Sequence, residues 1–237
     1  MSNKYIGLMK KVVNKIGTPE EFKLSGPQKI SIRNKSAFSI PAGPEFGCPG
    51  ATKACEECYA QKKRHMWPMV QKAFAENWKL LTKLEVNQET EKAAKAIIKQ
   101  MRKNAELFRI YESGDFHSQW AVDVWAEVVR QKQEVKFWAY TRSFDLNFTK
   151  LTRHKNFALW ASTDEYNIAK AKKFVRRFRK SGVKYAYGPW EHDVELPENS
   201  FACPATSKKM ETLGACEKCK LCVIKRRTKK HVVFLKH

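Results

Sequence analysis

From residue 107 to residue 188 the chain alternates short apolar segments with amphipathic ones, and this alternation limits its folds more than any other feature. "LFRIYES" (107–113), "VKFWAYT" (135–141), "NFALWAS" (156–162) and "VKYAYG" (183–188) are aromatic-rich and nearly continuous in apolar character, as buried parallel strands are. Between them, "SQWAVDVWAEVVRQK" (118–132), "DLNFTKLTRH" (145–154) and "NIAKAKKFVRRFRKSG" (167–182) predict helices, the last ending at Gly182. Such alternation implies right-handed crossovers and a parallel sheet or barrel. Upstream, "PMVQKAFAENWKLLTKL" (68–84) and "ETEKAAKAIIKQMRKN" (89–104) predict two more helices, and "KISIRNKSAFSIPAG" (29–43) predicts one or two strands. The first 25 or so residues read as a basic arm or short helix. With "HVVFL" (231–235) the β units number about five or six, too few for a closed eightfold barrel. The expected fold is therefore α/β, a partial (β/α)6-type open barrel of parallel strands spanning 1–200, with a C-terminal cysteine-rich metal- or cluster-binding extension over 201–237. A doubly wound open sheet is the alternative.

Polar residues collect just after the predicted strands: Ser113-Gly114-Asp115, Thr141-Arg142-Ser143 and Ser162-Thr163-Asp164. Ligands bind at the C-terminal ends of strands in parallel α/β folds, so Ser113, Gly114, Asp115, Thr141 and Ser162 are candidate cofactor-binding residues. An ordinary strand-to-helix turn capped by Asp115 or Ser118 is the structural reading of the first group.

All seven cysteines fall into two groups. Cys203, Cys216, Cys219 and Cys222 supply four thiols, three of them in consecutive C-x2-C steps. That spacing resembles the wrapping of a [4Fe–4S] cluster, and zinc held by four thiolates is the alternative. Cys48, Cys55 and Cys58 supply only three thiols, with His65 the nearest further donor. A structural site is closed by a fourth ligand, whereas a catalytic one keeps a position open. The N-terminus "MSNKYIGLMKKVVNKIG" has no apolar run of signal-peptide length, and no stretch approaches the ~20 apolar residues of a membrane span. A reducing cytoplasm and no membrane partner are expected, and there clustered cysteines are metal ligands or redox centres more often than disulfides.

Lys+Arg 46 against Asp+Glu 24 leaves a formal charge of +22, which attracts polyanions; nucleic acid is the expected partner, bound electrostatically. "KRRTKK" (225–230) lacks apolar spacing and is the better phosphate-contacting run. "KKFVRRFRK" places Phe174, Val175 and Phe178 at helical spacing, so its charges read equally well as a solvated helix face. The six histidines are scattered, only His117 lies near a predicted strand end, and no acid/base or nucleophile constellation is recognisable. The catalytic residues are thus unassigned.

The segments "SIPAGPEFGCPGATKACEECYA", "YESGDFHS", "YTRS" and "CPATS…CEKCKLC", spanning about 35 to 222, resemble the phage gene product 88 family. More broadly, a three-cysteine group, a βα-repeat chain and a C-terminal four-cysteine group resemble the radical S-adenosylmethionine superfamily. The motifs are specific as a set and weak singly. The resemblance implies that Cys48, Cys55 and Cys58 hold a [4Fe–4S] cluster whose fourth iron chelates S-adenosylmethionine. It implies that an external donor reduces the cluster and that a 5′-deoxyadenosyl radical abstracts hydrogen from substrate. Ser113, Gly114 and Asp115 then take the place of the superfamily's Gly-Gly-Glu segment, and the other four cysteines hold an auxiliary cluster. The sequence departs from the usual C-x3-C-x2-C pattern: the first gap is six residues, and Glu57 stands where an aromatic is usual, with Tyr59 after the cysteine. The implied setting is a phage-infected host cytoplasm, and a monomer is expected.

Three functions follow: a radical S-adenosylmethionine-type enzyme acting on nucleic acid or a nucleic-acid-associated substrate, a non-catalytic nucleic-acid-binding protein with structural zinc or iron–sulfur sites, and an electron carrier. The last is weakest, since small carriers need no full α/β scaffold.

Overall fold

Six strands form one parallel sheet in the computed structural model, which describes residues 3–27, 29–30, 35–207 and 209–236. They are β1 (Leu107–Arg109), β2 (Lys136–Thr141), β3 (Phe157–Thr163), β4 (Lys184–Trp190), β5 (Ser200–Ala202) and β6 (His231–Leu235), in the order β1-β2-β3-β4-β6-β5. Every pairing is parallel. The segment before the first cysteine extends the β1 edge: Ala37 bridges Arg109, whose amide donates to Ser36 at 2.9 Å while Phe38 donates back to Arg109 at 3.1 Å. The predicted strand over 29–43 is thus an isolated bridge in its second half, and residues 31–34 lie outside the described residues.

Among the described residues seven α-helices accompany the sheet: α1 (Asn3–Lys15), α2 (Pro68–Val86), α3 (Thr90–Gln100), α4 (Gln119–Gln131), α5 (Thr149–Thr152), α6 (Ile168–Arg177) and α7 (Ala215–Cys219). Ser118 starts α4 as its N-cap, accepting the amide of Ala121 at 3.2 Å. Past α6, a single 3-10 turn stops at Gly182, whose φ of 80° is the left-handed conformation that ends helices. Strand β1 is shorter than predicted, because Tyr111 takes a φ of 55° and turns the chain out of the sheet.

The two faces of the sheet are covered differently. Phe108, Phe137, Ala139, Leu159 and Ala161 pack under α2 to α6, with Trp125 of α4 at the centre, its ring 5.4 Å from Phe38 and 6.0 Å from Phe108. On the opposite face, Trp138, Tyr140, Trp160 and Val232 are covered by the segment that carries Cys203, Cys216, Cys222 and Val223. That segment is the connection from β5 to β6, and β6 inserts between β4 and β5. Among the described residues no pairing joins β5 to the β1 edge, so the sheet is open.

Buried Asn77 of α2 ties the N-terminal arm to this frame. Its Oδ1 accepts the amide of Lys23 at 2.7 Å, and its Nδ2 donates to the carbonyls of Lys23 and Ser39, both at 2.8 Å. Asn77→Leu keeps the volume and leaves those backbone groups unpaired, at about 1–3 kcal/mol per buried group. We expect urea unfolding to show a loss of about 3 kcal/mol or more, with Asn77→Asp no better because a carboxylate donates nothing.

Candidate functional site

The loop from Cys48 to Cys58 lies across the C-terminal ends of β1, β2 and β3. Gly50 makes the approach possible: a Cβ there would sit 2.1 Å from the carbonyl oxygen of Arg142, just past β2. The Thr52 hydroxyl donates to Asp164 Oδ2 at 2.6 Å, just past β3, and the Tyr59 hydroxyl donates to the carbonyl of Glu112, past β1. Arg142 gathers these contacts. Its amide donates to Asp115 Oδ2 at 2.7 Å, and its guanidinium pairs with Asp164 and reaches Thr52 Oγ1 and the Gly188 carbonyl, each at 3.4 Å. Both side chains of the Arg142–Asp164 pair are largely buried, at 14% and 6% exposed.

Asp115 is buried beside Cys48, with Oδ1 accepting its neighbour Phe116's amide at 2.7 Å. Burial pushes its carboxyl up to about 6, although the amides of Arg142 and Phe116 and the Thr141 hydroxyl pull the other way. Ser113 is buried as well, and its hydroxyl has no partner among the described residues. Gly114 takes a φ of 84° with Ile40 packed where a side chain would stand. Ser113, Gly114, Asp115 and Thr141 therefore share one end of the sheet with the three-cysteine loop. Ser162 is set apart: the register places it beside Ala186 on the face opposite Thr141, and its carbonyl caps Asn167 Nδ2 at 3.1 Å.

The three thiols are electrostatic neighbours. Burial, then Asp115 and the other two cysteines, push Cys48 well up, and burial is also the main cause for Cys58. Thr52 donates its amide to the Cys55 sulfur at 3.5 Å. His65 lies beside Glu112, its Nε2 3.4 Å from Glu112 Oε1 but without a hydrogen-bond partner among the described residues, and its ring is against Tyr59. Burial raises the Glu112 carboxyl, but His65, Arg64 and Arg109 outweigh it and hold the group below the usual range. The cavity beside this cluster, about 190 Å³, is smaller than the roughly 300–1,000 Å³ of ligand pockets in general.

The second group lies beneath the sheet. Cys203 follows β5 and donates its amide to Val233 at 2.8 Å, while Cys216 and Cys219 sit on α7. The Cys222 carbonyl accepts Trp160 Nε1 at 2.9 Å. Burial pushes Cys216 up to about 11 and Cys222 higher still, with the other thiols of the group adding to it. Half-buried Arg109 stands between the two groups. Its Nη2 is 3.3 Å from the hydroxyl of Tyr59, which follows Cys58, and its guanidinium lies 5.0 Å from the ring of Tyr140, which hydrogen-bonds Cys222. All seven cysteines are free thiols, and among the described residues no three His, Cys, Asp or Glu side chains close to single-ion spacing.

The gene product 88 family model matches residues 8–225 of the chain. The chain belongs to that family. It is 31% identical over 216 residues to the Gene 88 protein of Mycobacterium phage L5, covering 85% of this chain and 87% of the relative. It is 30% identical over 217 residues to the Gene 88 protein of Mycobacterium phage D29, covering 84% and 86%. No solved structure matches the chain. In this family member the structure adds Gly50, Thr52, Arg109, Arg142 and Asp164 to the residues that sequence reasoning assigned to the site. Arg142 and Asp164 stand within two residues of the ends of predicted strands, and that position is the signal that marks them.

Removing one partner of a buried ion pair costs about 3–5 kcal/mol, because the other charge stays buried and unpaired. Asp164→Ala should lower the unfolding free energy by about 3 kcal/mol and, in metal-free protein, speed the labelling of Cys55 by a thiol reagent, since Thr52 loses its anchor. Unchanged labelling would separate the loop from the pair. Asp115 supplies a pH test. Its folded-state value lies above its unfolded one, so the folded state binds the extra proton and stability falls as pH rises from about 4 to about 6. The penalty is absent below that window and reaches up to about 3 kcal/mol above it. Denaturation of wild type and Asp115→Asn across the window should show this slope in the wild type alone.

Proposed function

We infer that this family member is an iron–sulfur protein of radical S-adenosylmethionine type that acts on nucleic acid or a nucleic-acid-associated substrate. One observation carries the reading: a three-thiol loop docks on the C-terminal ends of parallel strands beside Asp115 and the unpartnered Ser113 hydroxyl. The donor set fits a [4Fe–4S] centre, which takes thiolate ligands, and no carboxylate or imidazole is needed to complete it when a cofactor binds the remaining iron. With S-adenosylmethionine bound and an external reductant, such a centre supplies one-electron cleavage of the sulfonium bond and a carbon radical that abstracts hydrogen.

The chain's own residues then have positioning roles. Asp115 already accepts two amides and the Thr141 hydroxyl, which leaves acceptor capacity for a cofactor's amino group. The Ser113 hydroxyl is free for a cofactor oxygen or nitrogen. Arg142 holds the loop at the strand ends without being a ligand. Helices on one face and chain-order neighbours from residue 36 through β4 support the partial open barrel, with the β5–β6 connection as its cysteine-rich extension. Cys203, Cys216, Cys219 and Cys222 form a closed, structural centre in this reading, a second cluster with zinc as the alternative. No helix among the described residues is long and apolar enough to cross a membrane, and the host cytoplasm is the proposed setting. The charge of +22 supports the substrate class.

The test is anaerobic iron and sulfide analysis followed by paramagnetic resonance of the reduced protein. Two cluster signals are expected, with S-adenosylmethionine perturbing one. Cys55→Ala should abolish the perturbed signal and leave the other. If both clusters are present and the cofactor changes neither signal, the radical-enzyme mechanism is excluded and a binding protein with structural centres remains.

A further inference from the structure

The helical layer stops at α6, which packs on β3 and β4. Beyond it, the same face of β4 and β6 carries four rings in mutual contact. Tyr185 and Tyr187 lie parallel, 5.4 Å apart at 25°; His231 is 4.8 Å from Tyr185 and 6.0 Å from Tyr187, and Trp190 is 6.2 Å from Tyr187. All four are half-buried, and Tyr185 also packs against the margin of the main core. Strand alternation explains the placement: Ala186, between the tyrosines, is buried against the opposite face. A contiguous, partly exposed aromatic surface marks a contact site more often than scattered rings do.

Two basic runs meet at the start of these strands. Exposed Arg179 and Lys180 lead into β4, and exposed Arg226, Arg227, Lys229 and Lys230 lead into β6. The Arg226 guanidinium donates to the Lys180 carbonyl and packs over Gly182, joining the runs. None of the six has a carboxylate within ion-pair distance among the described residues. The local field is felt by the neighbours: burial and then Arg226 lower Lys184, and burial and then Lys184 lower His231. Glu191, Asp193 and Glu195 are exposed past the far end of β4, so the surface is polarised, basic where the strands begin.

We propose that this face of β4 and β6 binds single-stranded nucleic acid, with bases stacking on Tyr185 and Tyr187 and phosphates held by the basic margin. The inference rests on, and narrows, the nucleic-acid part of the proposed function. Charge complementarity selects a polyanion, and the rings select unstacked bases, since a duplex keeps its base faces inside. Aromatic stacking tolerates any base, which suits a chain without a base-reading module. Strand β4 also leads to the candidate site, because its Gly188 carbonyl accepts from Arg142.

Fluorescence anisotropy of the full-length, metal-loaded protein with labelled oligothymidine, oligouridine and a duplex of equal length tests this. Single strands should bind about tenfold more tightly than the duplex at moderate salt. Tyr185→Thr and Tyr187→Thr keep strand propensity and should each weaken single-strand binding about fivefold or more, leaving duplex binding unchanged, while Tyr187→Phe binds as wild type. Replacing Arg226, Arg227, Lys229 and Lys230 by Gln should weaken every ligand and flatten the salt dependence. A preference for thymidine or uridine strands identifies DNA or RNA as the source, and either supports the platform. Folded threonine variants that bind single strands like wild type, or a duplex bound as tightly as single strands, overturn it. Protein that carries both centres and binds no strand removes the platform and the nucleic-acid substrate together. Protein that binds strands through the tyrosines yet holds no iron removes the iron–sulfur reading and leaves the platform standing.

Discussion

Arg142 is the residue on which the candidate site depends. It is the only contact point shared by the turn after β1, the ends of β3 and β4 and the three-cysteine loop among the hydrogen bonds described above. Its carbonyl lies under Gly50, its amide fixes Asp115, and its planar guanidinium reaches three acceptors in three different segments. A lysine has one point charge and cannot reproduce that fork. The arrangement also explains why a loop with few buried apolar residues can hold a defined position: its backbone is located by polar contacts to strand ends that the core beneath makes rigid.

The sheet supplies that rigidity asymmetrically. One face is a conventional helix-on-sheet core, whereas the other is closed by a cysteine-rich connection whose own elements are a three-residue strand and a five-residue helix. Elements of that length are not stable alone. Cross-linking four thiols through one centre would remove much of the conformational freedom of this connection, and metal affinity would then become folding free energy. In that reading the second cysteine group has a structural task whatever the first one does.

What the sequence disclosed follows from burial. The segments 135–141, 156–162 and 231–235 match β2, β3 and β6 to within a residue or so at each end, because strands buried on both faces must be apolar throughout. Strand β5 escaped notice, being three half-buried residues held only by β6. The pairing of Arg142 with Asp164 was hidden for a different reason: each is visibly a polar residue after a strand, but their meeting depends on strand neighbours and register, which one sequence does not display. Thr141 and Ser162 show the same limit, equivalent in sequence position yet on opposite faces. The tyrosines of β4 read as core residues until the end of the helical layer is known.

The two cysteine groups are joined by Arg109 rather than isolated from one another. Burial disfavours its charge, but Tyr59, Tyr140, Glu112 and Cys216 around it more than offset that cost, so the guanidinium stays protonated between the groups. A fixed cation there stabilises negative charge around it, on Tyr59, Tyr140, Glu112 and Cys216. If both groups carried the anionic thiolate centres proposed for them, the two would repel each other through a medium of low dielectric. Arg109, stacked on Tyr140 and bonded to Tyr59, would lessen that repulsion without acting as a ligand to either group. The same side chain therefore belongs to the electrostatics of both sites, and a change at one is felt at the other through it.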